Sequence, residues 1–308
     1  MGLELARRAE VVRVSIIIPA LNEAENLIHN LPEVRSQMGP TDELIVVDNG
    51  SSDHTEVIAR QFGARVISEP IRGRSRARNK GIEAAGGEVV IFLDADCRPV
   101  PRWLDCLLKP FSNAEIGCVA GEIRILFSED RLGAYLSDKG HLSQRVNFSH
   151  SFLPYAGSGN VAFRRKVLQR IGGFDEAMFS GHDADICWRM QLQSPYRIVL
   201  AGDAIVDHRQ TLSFAAVVRQ KRRHAYGSVL LYKKYKDRRG SERRPLKHVY
   251  WEYNSILRRG ARFGTSWLGA YLGIAKQLPV EQGYQLLLEI SERVGRIEGS
   301  IALRVWYL

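Results

Sequence analysis

Four cysteines in 308 residues, Cys97, Cys106, Cys118 and Cys187, never fall in a C-x-x-C pair, so neither a zinc knot nor a disulfide framework is indicated. Buried free thiols in a reducing compartment are the expectation. Long apolar runs are missing too: no stretch reaches the ~18–20 consecutive apolar residues of a spanning helix. The opening residues, MGLELARRAEVVRVSIIIP, lack the order of basic head, apolar core and small-residue cleavage site, so no cleaved leader is expected. No G-x-G-x-x-G follows the first apolar run, which disfavours an NAD-type dinucleotide fold, and G-x-x-x-x-G-K-[ST] is absent as well. What remains is 45% hydrophobic and 25% charged, an ordinary globular composition. The chain is long enough for one large α/β domain, or a domain plus an appendage.

Acidic residues become scarce toward the C-terminus. The net charge of +10 divides unevenly: residues 1–208 hold 24 Lys and Arg against 27 Asp and Glu, a net −3, whereas residues 209–308 hold 20 against 7, a net +13. The excess belongs to the last third alone and asks for an anionic partner there.

The first two hundred residues alternate strand and helix signals. VRVSIIIPA (12–20), ELIVVD (43–48), ARVISE (64–69) and EVVIFLDAD (88–96) read as strands, the apolar ones buried on both faces. Between them lie AENLIHNLPEVRSQ, interrupted by Pro32; HTEVIARQFG, capped by Asp53 and stopped by Gly63; and RSRARNKGIEAAGG, closed by Gly86 and Gly87. This rhythm predicts a parallel, doubly wound sheet. GCVAGEIRIL, SGNVAFRR, YRIVLAG and AIVDH predict four further strands of a mixed second half. From 209 onward the pattern is helical and basic.

In an open α/β sheet ligands bind beyond the carboxyl ends of the strands. Three acidic clusters fall there: Pro19-Ala20-Leu21-Asn22-Glu23, Asp48-Asn49-Gly50-Ser51-Ser52-Asp53 and Asp94-Ala95-Asp96. Such clusters repel unless a cation, or a donor such as a base or ribose, sits between them. Asp94 and Asp96, two apart in extended chain, would share a face and suit Mg²⁺ or Mn²⁺. Arg74, Arg76 and Arg78 open a helix, where forked donors and the helix dipole favour phosphate. The plain alternative is a solvated basic helix.

SIIIPALNE, IVVDNGSSDHT, GRSRARNKGIEAAGGEVVIFLDADC, SGNVAFRR, IGGFDE, GHDADICWRMQL and AIVDH, in that order over residues 12–208, resemble the family 2 glycosyltransferases. The resemblance implies a GT-A fold: an α/β, mixed, mainly parallel twisted sheet flanked by helices, with a Rossmann-like nucleotide-binding half. It also implies inverting transfer from a nucleotide-diphosphate sugar with a divalent cation, Mn²⁺ or Mg²⁺. By position, Pro19, Ala20 and Glu23 resemble the nucleoside-binding loop. Asp48 stands where a carboxylate accepts the uracil imide hydrogen. Arg78 matches the basic position near the diphosphate, and Asp94, followed by Ala95, the position near the ribose. Asp96 resembles the metal-ligating carboxylate. His208 matches a histidine at the metal or the diphosphate, the alternative being a capped strand-end histidine. Gly159 and Asn160 fall in the donor-sugar segment, and Gly172-Gly173-Phe174-Asp175-Glu176, with Asp175, resembles the acceptor-side loop.

The resemblance puts the general base at Asp183, with Asp185 as the alternative. His182 stands where the family usually has glutamate; it is either an acceptor contact or a tolerated substitution. Trp188 reads as core packing or as a sugar platform. Gln220-Lys221-Arg222-Arg223-His224 loosely resembles the Q-x-x-R-W segment of processive members, but without the tryptophan no processivity is inferred.

Residues 209–262 carry 16 Lys and Arg against 3 Asp and Glu, interleaved with aromatics. This reads as a binder of an anionic membrane surface, or as a tail that packs on the catalytic domain or forms a dimer. The apolar segment 264–278 is too short to span and suits an interface. No nucleic-acid-binding motif accompanies the charge. The sequence therefore predicts a catalytic domain over 1–210 and a basic amphipathic helical extension over 211–308. The expected chemistry is sugar transfer from a UDP-sugar, or a GDP-sugar, to a hydroxyl acceptor, lipid-linked or of the cell envelope. The expected place is the cytoplasmic face of a membrane, peripherally held. The rivals are a nucleotidyltransferase and a non-catalytic membrane- or polymer-binding protein.

Overall fold

The computed structural model describes residues 12–125, 131–209, 213–238, 245–272 and 279–308. The apolar, β-branched runs form strands, as expected for segments whose both faces are covered. β1 (Val14–Ala20), β2 (Glu43–Asp48), β3 (Arg65–Ser68) and β4 (Val89–Leu93) are parallel and lie in the order β3-β2-β1-β4. The intervening helices are α1 (Ala24–Gln37), α2 (Thr55–Gln61) and α3 (Arg74–Ala84). Two apolar clusters fill the two faces of the sheet, one around Ile16, Leu27 and Trp103, the other around Ile17, Phe92 and Phe163.

Beyond β4 the sheet becomes mixed. β5 (Cys97–Pro99), α4 (Trp103–Leu108), β6 (Ile116–Ile125), α5 (Arg131–Asp138), α6 (Gln144–Phe148), β7 (Asn160–Arg164), α7 (Arg165–Ile171), α8 (His182–Gln193) and β8 (Arg197–His208) follow. The whole eight-stranded order is β3-β2-β1-β4-β7-β6-β8-β5. β7 runs antiparallel to both β4 and β6, β8 is parallel to β6, and β5 pairs antiparallel with β8.

Several local expectations are corrected. YRIVLAG and AIVDH are one strand, β8, because a register shift opposite Gly121 and Glu122 absorbs the polar interruption at Gly202 and Asp203. The side chain of Asn160 holds this irregularity. It donates to the carbonyls of Glu122 (2.9 Å) and Ala204 (2.8 Å) and accepts from Trp103 Nε1 (2.8 Å). A Cβ at Gly121 would meet Asn160 Nδ2 at 2.3 Å, so only glycine fits. Pro32 lies inside α1 without ending it. Asp53 precedes the α2 N-cap, His54, yet accepts the Thr55 N–H (3.0 Å) and also the Ala24 N–H opening α1 (3.1 Å).

The chain divides into two compact units, 1–126 with 140–210, and 127–139 with 211–308. The second unit contains α9 (Phe214–Tyr235), α10 (Leu246–Tyr271) and α11 (Val280–Leu303). In it Tyr284 of α11 meets Phe214 and Tyr135, with ring centroids 4.8 and 5.8 Å away, and Arg222 pairs with Glu298. The end of the apolar 264–278 segment lies outside the described residues.

Candidate active site

The carboxyl ends of β1, β2 and β4 open on a cavity of about 320 Å³, within the range of small-molecule sites. Pro19, Ala20 and Glu23 line it from the loop after β1, and Asp94, Ala95 and Asp96 from the turn after β4. Arg72, Gly73, Arg74 and Arg78 line it from the start of α3. Acidic and basic sides thus face one opening.

Local bonds explain how each loop is held. Asn22 sits at φ 57°, and its Oδ1 accepts the Ser52 N–H at 2.8 Å, while its own N–H donates to Ser51 Oγ at 2.9 Å. These bonds lace the first two loops together. Asp48 ends β2 and accepts the Ser51 N–H at 3.0 Å. Its neighbour Asn49 lines the cavity and is 6% exposed. Asn49 donates to the carbonyls of Glu69 and Ile71 and accepts the Gly73 N–H, shaping the loop that presents Arg72 and Arg74. Neither Asn49 nor Arg72 stands out in the sequence. The only signal is a polar residue directly after a strand, and a basic residue just before the helix.

Asp94 and Asp96 do not share an extended face. β4 stops at Leu93, and the Cys97 N–H donates to the Asp94 carbonyl at 3.0 Å, closing a turn. The two carboxylates therefore part. Asp94 Oδ1 accepts from Arg78 Nη2 at 2.8 Å, and Asp96 Oδ2 stands 3.2 Å from His208 Nε2. His208 arrives because β8 ends directly opposite β5, with Cys97 paired to His208 and the Arg209 N–H donating to the Asp96 carbonyl at 2.9 Å. Burial would lower the His208 pKa, but the bond to Asp96 and the charges of Asp96, Asp94 and Glu23 outweigh it and raise it above 6.5. Glu23 is raised above its ordinary 4.5 by burial and by the nearby Asp96, Asp94 and Asp53, against the opposing bond from Asn26. Burial, with Asp96 and Asp94 alongside, pushes the Cys97 thiol well up.

The antiparallel run of β7 brings its start to the same edge. The Asp94 N–H donates to the Gly159 carbonyl (3.3 Å), and a Cβ on Gly159 would stand 3.1 Å from Asp94 Oδ2. Asn160, expected on the donor-sugar side, is fully buried, and its amide bonds Glu122, Ala204 and Trp103. Asp175 Oδ1 accepts the Ala177 N–H at 3.0 Å and so shapes the loop before α8. That loop is tied to α3 through Asn79, which donates to the Phe174 carbonyl and to Glu176.

At the start of α8, His182 Nε2 lies 3.3 Å from Arg78 Nη1 and 3.4 Å from Asp183 Oδ1. Arg78 and His182 are buried, and they link the half-exposed carboxylates of Asp183 and Asp94. Burial and the nearby Arg78 and Arg74 lower the His182 pKa, despite Asp183. Burial acts to raise Asp183, but His182, Arg78, a bond from Ser158 and Arg74 together lower it below 3.8. Tyr155, buried and facing the Asp183 charge, is pushed up to about 12. Asp185 is fully buried and bound to Arg189 at 2.8 Å, which holds it away from a substrate. Trp188 packs against Phe152 and His150 and donates to the Leu153 carbonyl, a core role.

The family model for "Glycosyl transferase family 2" matches residues 15–172, which include the loops after β1, β2 and β4 and the start of β7. The chain belongs to this family. A relative, glycosyltransferase AglE of Haloferax volcanii, is 33% identical over 204 residues, 63% of this chain and 66% of that protein. The chain covers less than two thirds of that relative's own length, and less of other relatives. The mannosyltransferase PcManGT from Pyrobaculum calidifontis, solved with GDP-Man and Mn²⁺, shares the fold: TM-score 0.63, 20% identity, 94% of this chain and 88% of that one. Glucosyl-3-phosphoglycerate synthase from Mycobacterium tuberculosis, solved with phosphoglyceric acid, gives a TM-score of 0.51 at 25% identity, over 72% of this chain and 79% of that one. The family's GT-A sheet is thus the architecture of the first unit, with a helical C-terminal region after it.

Proposed function

We propose that this chain is an inverting glycosyltransferase that moves a sugar from a nucleotide-diphosphate donor, favouring UDP, to a hydroxyl acceptor. The observation that carries the reading is one opening with Glu23, Asp94 and Asp96 on one side and Arg72, Arg74 and Arg78 on the other. A nucleotidyltransferase would instead place a glycine-rich basic loop after the first strand, where Pro19-Ala20-Leu21-Asn22-Glu23 stands. A non-catalytic binder would have no need of a base beside the donor site.

Pro19, Ala20 and Glu23, with Asp48 at the neighbouring strand end, bind the nucleoside. Asp94 holds the ribose side while its partner Arg78, helped by Arg74, attracts the diphosphate. Asp96 and His208 fit a divalent cation: one carboxylate and one imidazole side by side, with His208 Nδ1 buried and without a hydrogen-bond partner, amid acidic neighbours that raise Glu23. Bound there, Mn²⁺ or Mg²⁺ supplies charge neutralisation for the departing diphosphate. Asp183 takes the proton of the acceptor hydroxyl as that oxygen attacks the anomeric carbon. His182 links Asp183 to Arg78 and so joins acceptor and donor sides. The test is a panel of nucleotide sugars scored by thermal shift with Mn²⁺. A UDP-sugar is expected to raise the melting temperature, since a ligand of the folded state stabilises it. No shift with any nucleotide sugar would sink the reading.

The acceptor class is read from the second unit. None of the residues of α10 is buried, and Leu246, Tyr250, Leu257, Leu268 and Tyr271, between 50% and 74% exposed, recur at helical spacing as one stripe. Lys247, Arg258 and Arg262 fall along one flank of that stripe at about 100° per residue. Among the described residues no helix is long and apolar enough to cross a membrane. An apolar stripe edged by cations suits an anionic lipid surface, on which a lipid-linked acceptor would be presented from the cytoplasmic face. Binding to vesicles of anionic phospholipid is expected to weaken as salt is added, and Leu257→Glu with Tyr271→Glu is expected to abolish it. Equal binding to neutral and anionic vesicles would count against this surface.

A further inference from the structure

We propose that the Cys97 thiol gives the Asp96–His208 cation site a third, soft ligand, so that the site takes a thiophilic divalent ion such as Cd²⁺ or Zn²⁺. The inference rests on the reading that Asp96 and His208 hold a cation. Cys97 opens β5 and is paired directly with His208 across the antiparallel β5–β8 ladder. Residues so paired project side chains to the same face of a sheet. Cys97 Sγ stands 3.9 Å from Asp96 Oδ1, and one ligand atom each of Asp96, Cys97 and His208 lie within 4.8 Å of one another. Among the described residues this is the single such group of three or more His, Cys, Asp and Glu side chains. Cys97 is buried and forms no disulfide, and its thiol donates to Asp96, a fellow member of the group.

Carboxylate, imidazole and thiolate together make a zinc-type donor set, and soft sulfur selects against hard oxygen-seeking Mg²⁺. With Mg²⁺ the thiol keeps its proton and stands by. With Cd²⁺ or Zn²⁺ the S–H bond breaks, an S–metal bond forms, and the thiol proton passes to buffer; no electron changes hands.

The experiment is a titration of the whole chain with Cd²⁺, read as sulfur-to-cadmium charge-transfer absorption in the near ultraviolet. Wild type is expected to develop the band and to saturate at one ion per chain. Cys97→Ala and Cys97→Ser, each first checked for folding by circular dichroism, are expected to lose it while keeping Cys106, Cys118 and Cys187. No band in wild type, or an equal band in both variants, overturns the proposal without reference to either variant's activity. Mn²⁺ binding, followed by the loss of its free-ion paramagnetic resonance signal, separates the two readings. If Mn²⁺ binds and Cd²⁺ gives no band, the cation site stands and the sulfur ligand falls. If Mn²⁺ does not bind and the Cys97-dependent band is present, the sulfur ligand stands and the proposed Mn²⁺ site falls.

Discussion

Asp183→Asn is expected to lower sugar transfer by about a thousandfold while nucleotide binding, measured by calorimetry, stays near wild type. The substitution keeps the shape and removes only the capacity to accept a proton. Asp183 does not line the nucleotide cavity, so donor affinity has little reason to change. The pH profile adds a second check. Asp183 is lowered below 3.8, so its ionised form dominates throughout the neutral range. Its contribution to stability is present above the unfolded value of 3.8 and fades as pH falls through the lower folded value. Any acidic limb of kcat/KM near neutrality must then come from another group. Full transfer in Asp183→Asn would move the base elsewhere, and Asp185, buried against Arg189, is a poor successor.

Asp96→Asn is expected to have a comparable effect by another route. It removes the carboxylate that shares the site with His208, and with it the several kcal/mol of charge stabilisation that a bound cation supplies. About a thousandfold in turnover corresponds to that loss. Unlike Asp183→Asn, this variant is also expected to lose the Mn²⁺-dependent part of the thermal shift with donor. A variant that keeps both turnover and the Mn²⁺ effect would remove Asp96 from the site.

The contrast between strands explains what could be read from the sequence. β1, β2 and β4 are continuous β-branched runs, because helices cover both faces of that half of the sheet, and acidic residues stand at their ends. Order, spacing and the family resemblance followed from those segments. β8 was harder: its middle is polar, and the reason it stays one strand is the Asn160 amide, supplied from another strand. Its neighbour Gly159 accepts the Asp94 N–H through its carbonyl. The split of Asp94 and Asp96 was hidden too, since a strand and a turn differ there by one hydrogen bond, from Cys97 back to Asp94. The place of Cys97 beside His208 depends wholly on the β5–β8 pairing, which no local pattern announces.

That pairing has a consequence for assembly. Asp96 and His208 lie far apart in the chain and meet only where β8 pairs with the edge strand β5. Bringing them together carries the entropic cost of closing a long loop. A cation held by both residues acts as a removable cross-link on that loop and strengthens the folded state alone. Ion binding at Asp96 and His208 therefore depends on the β5–β8 pairing being in place.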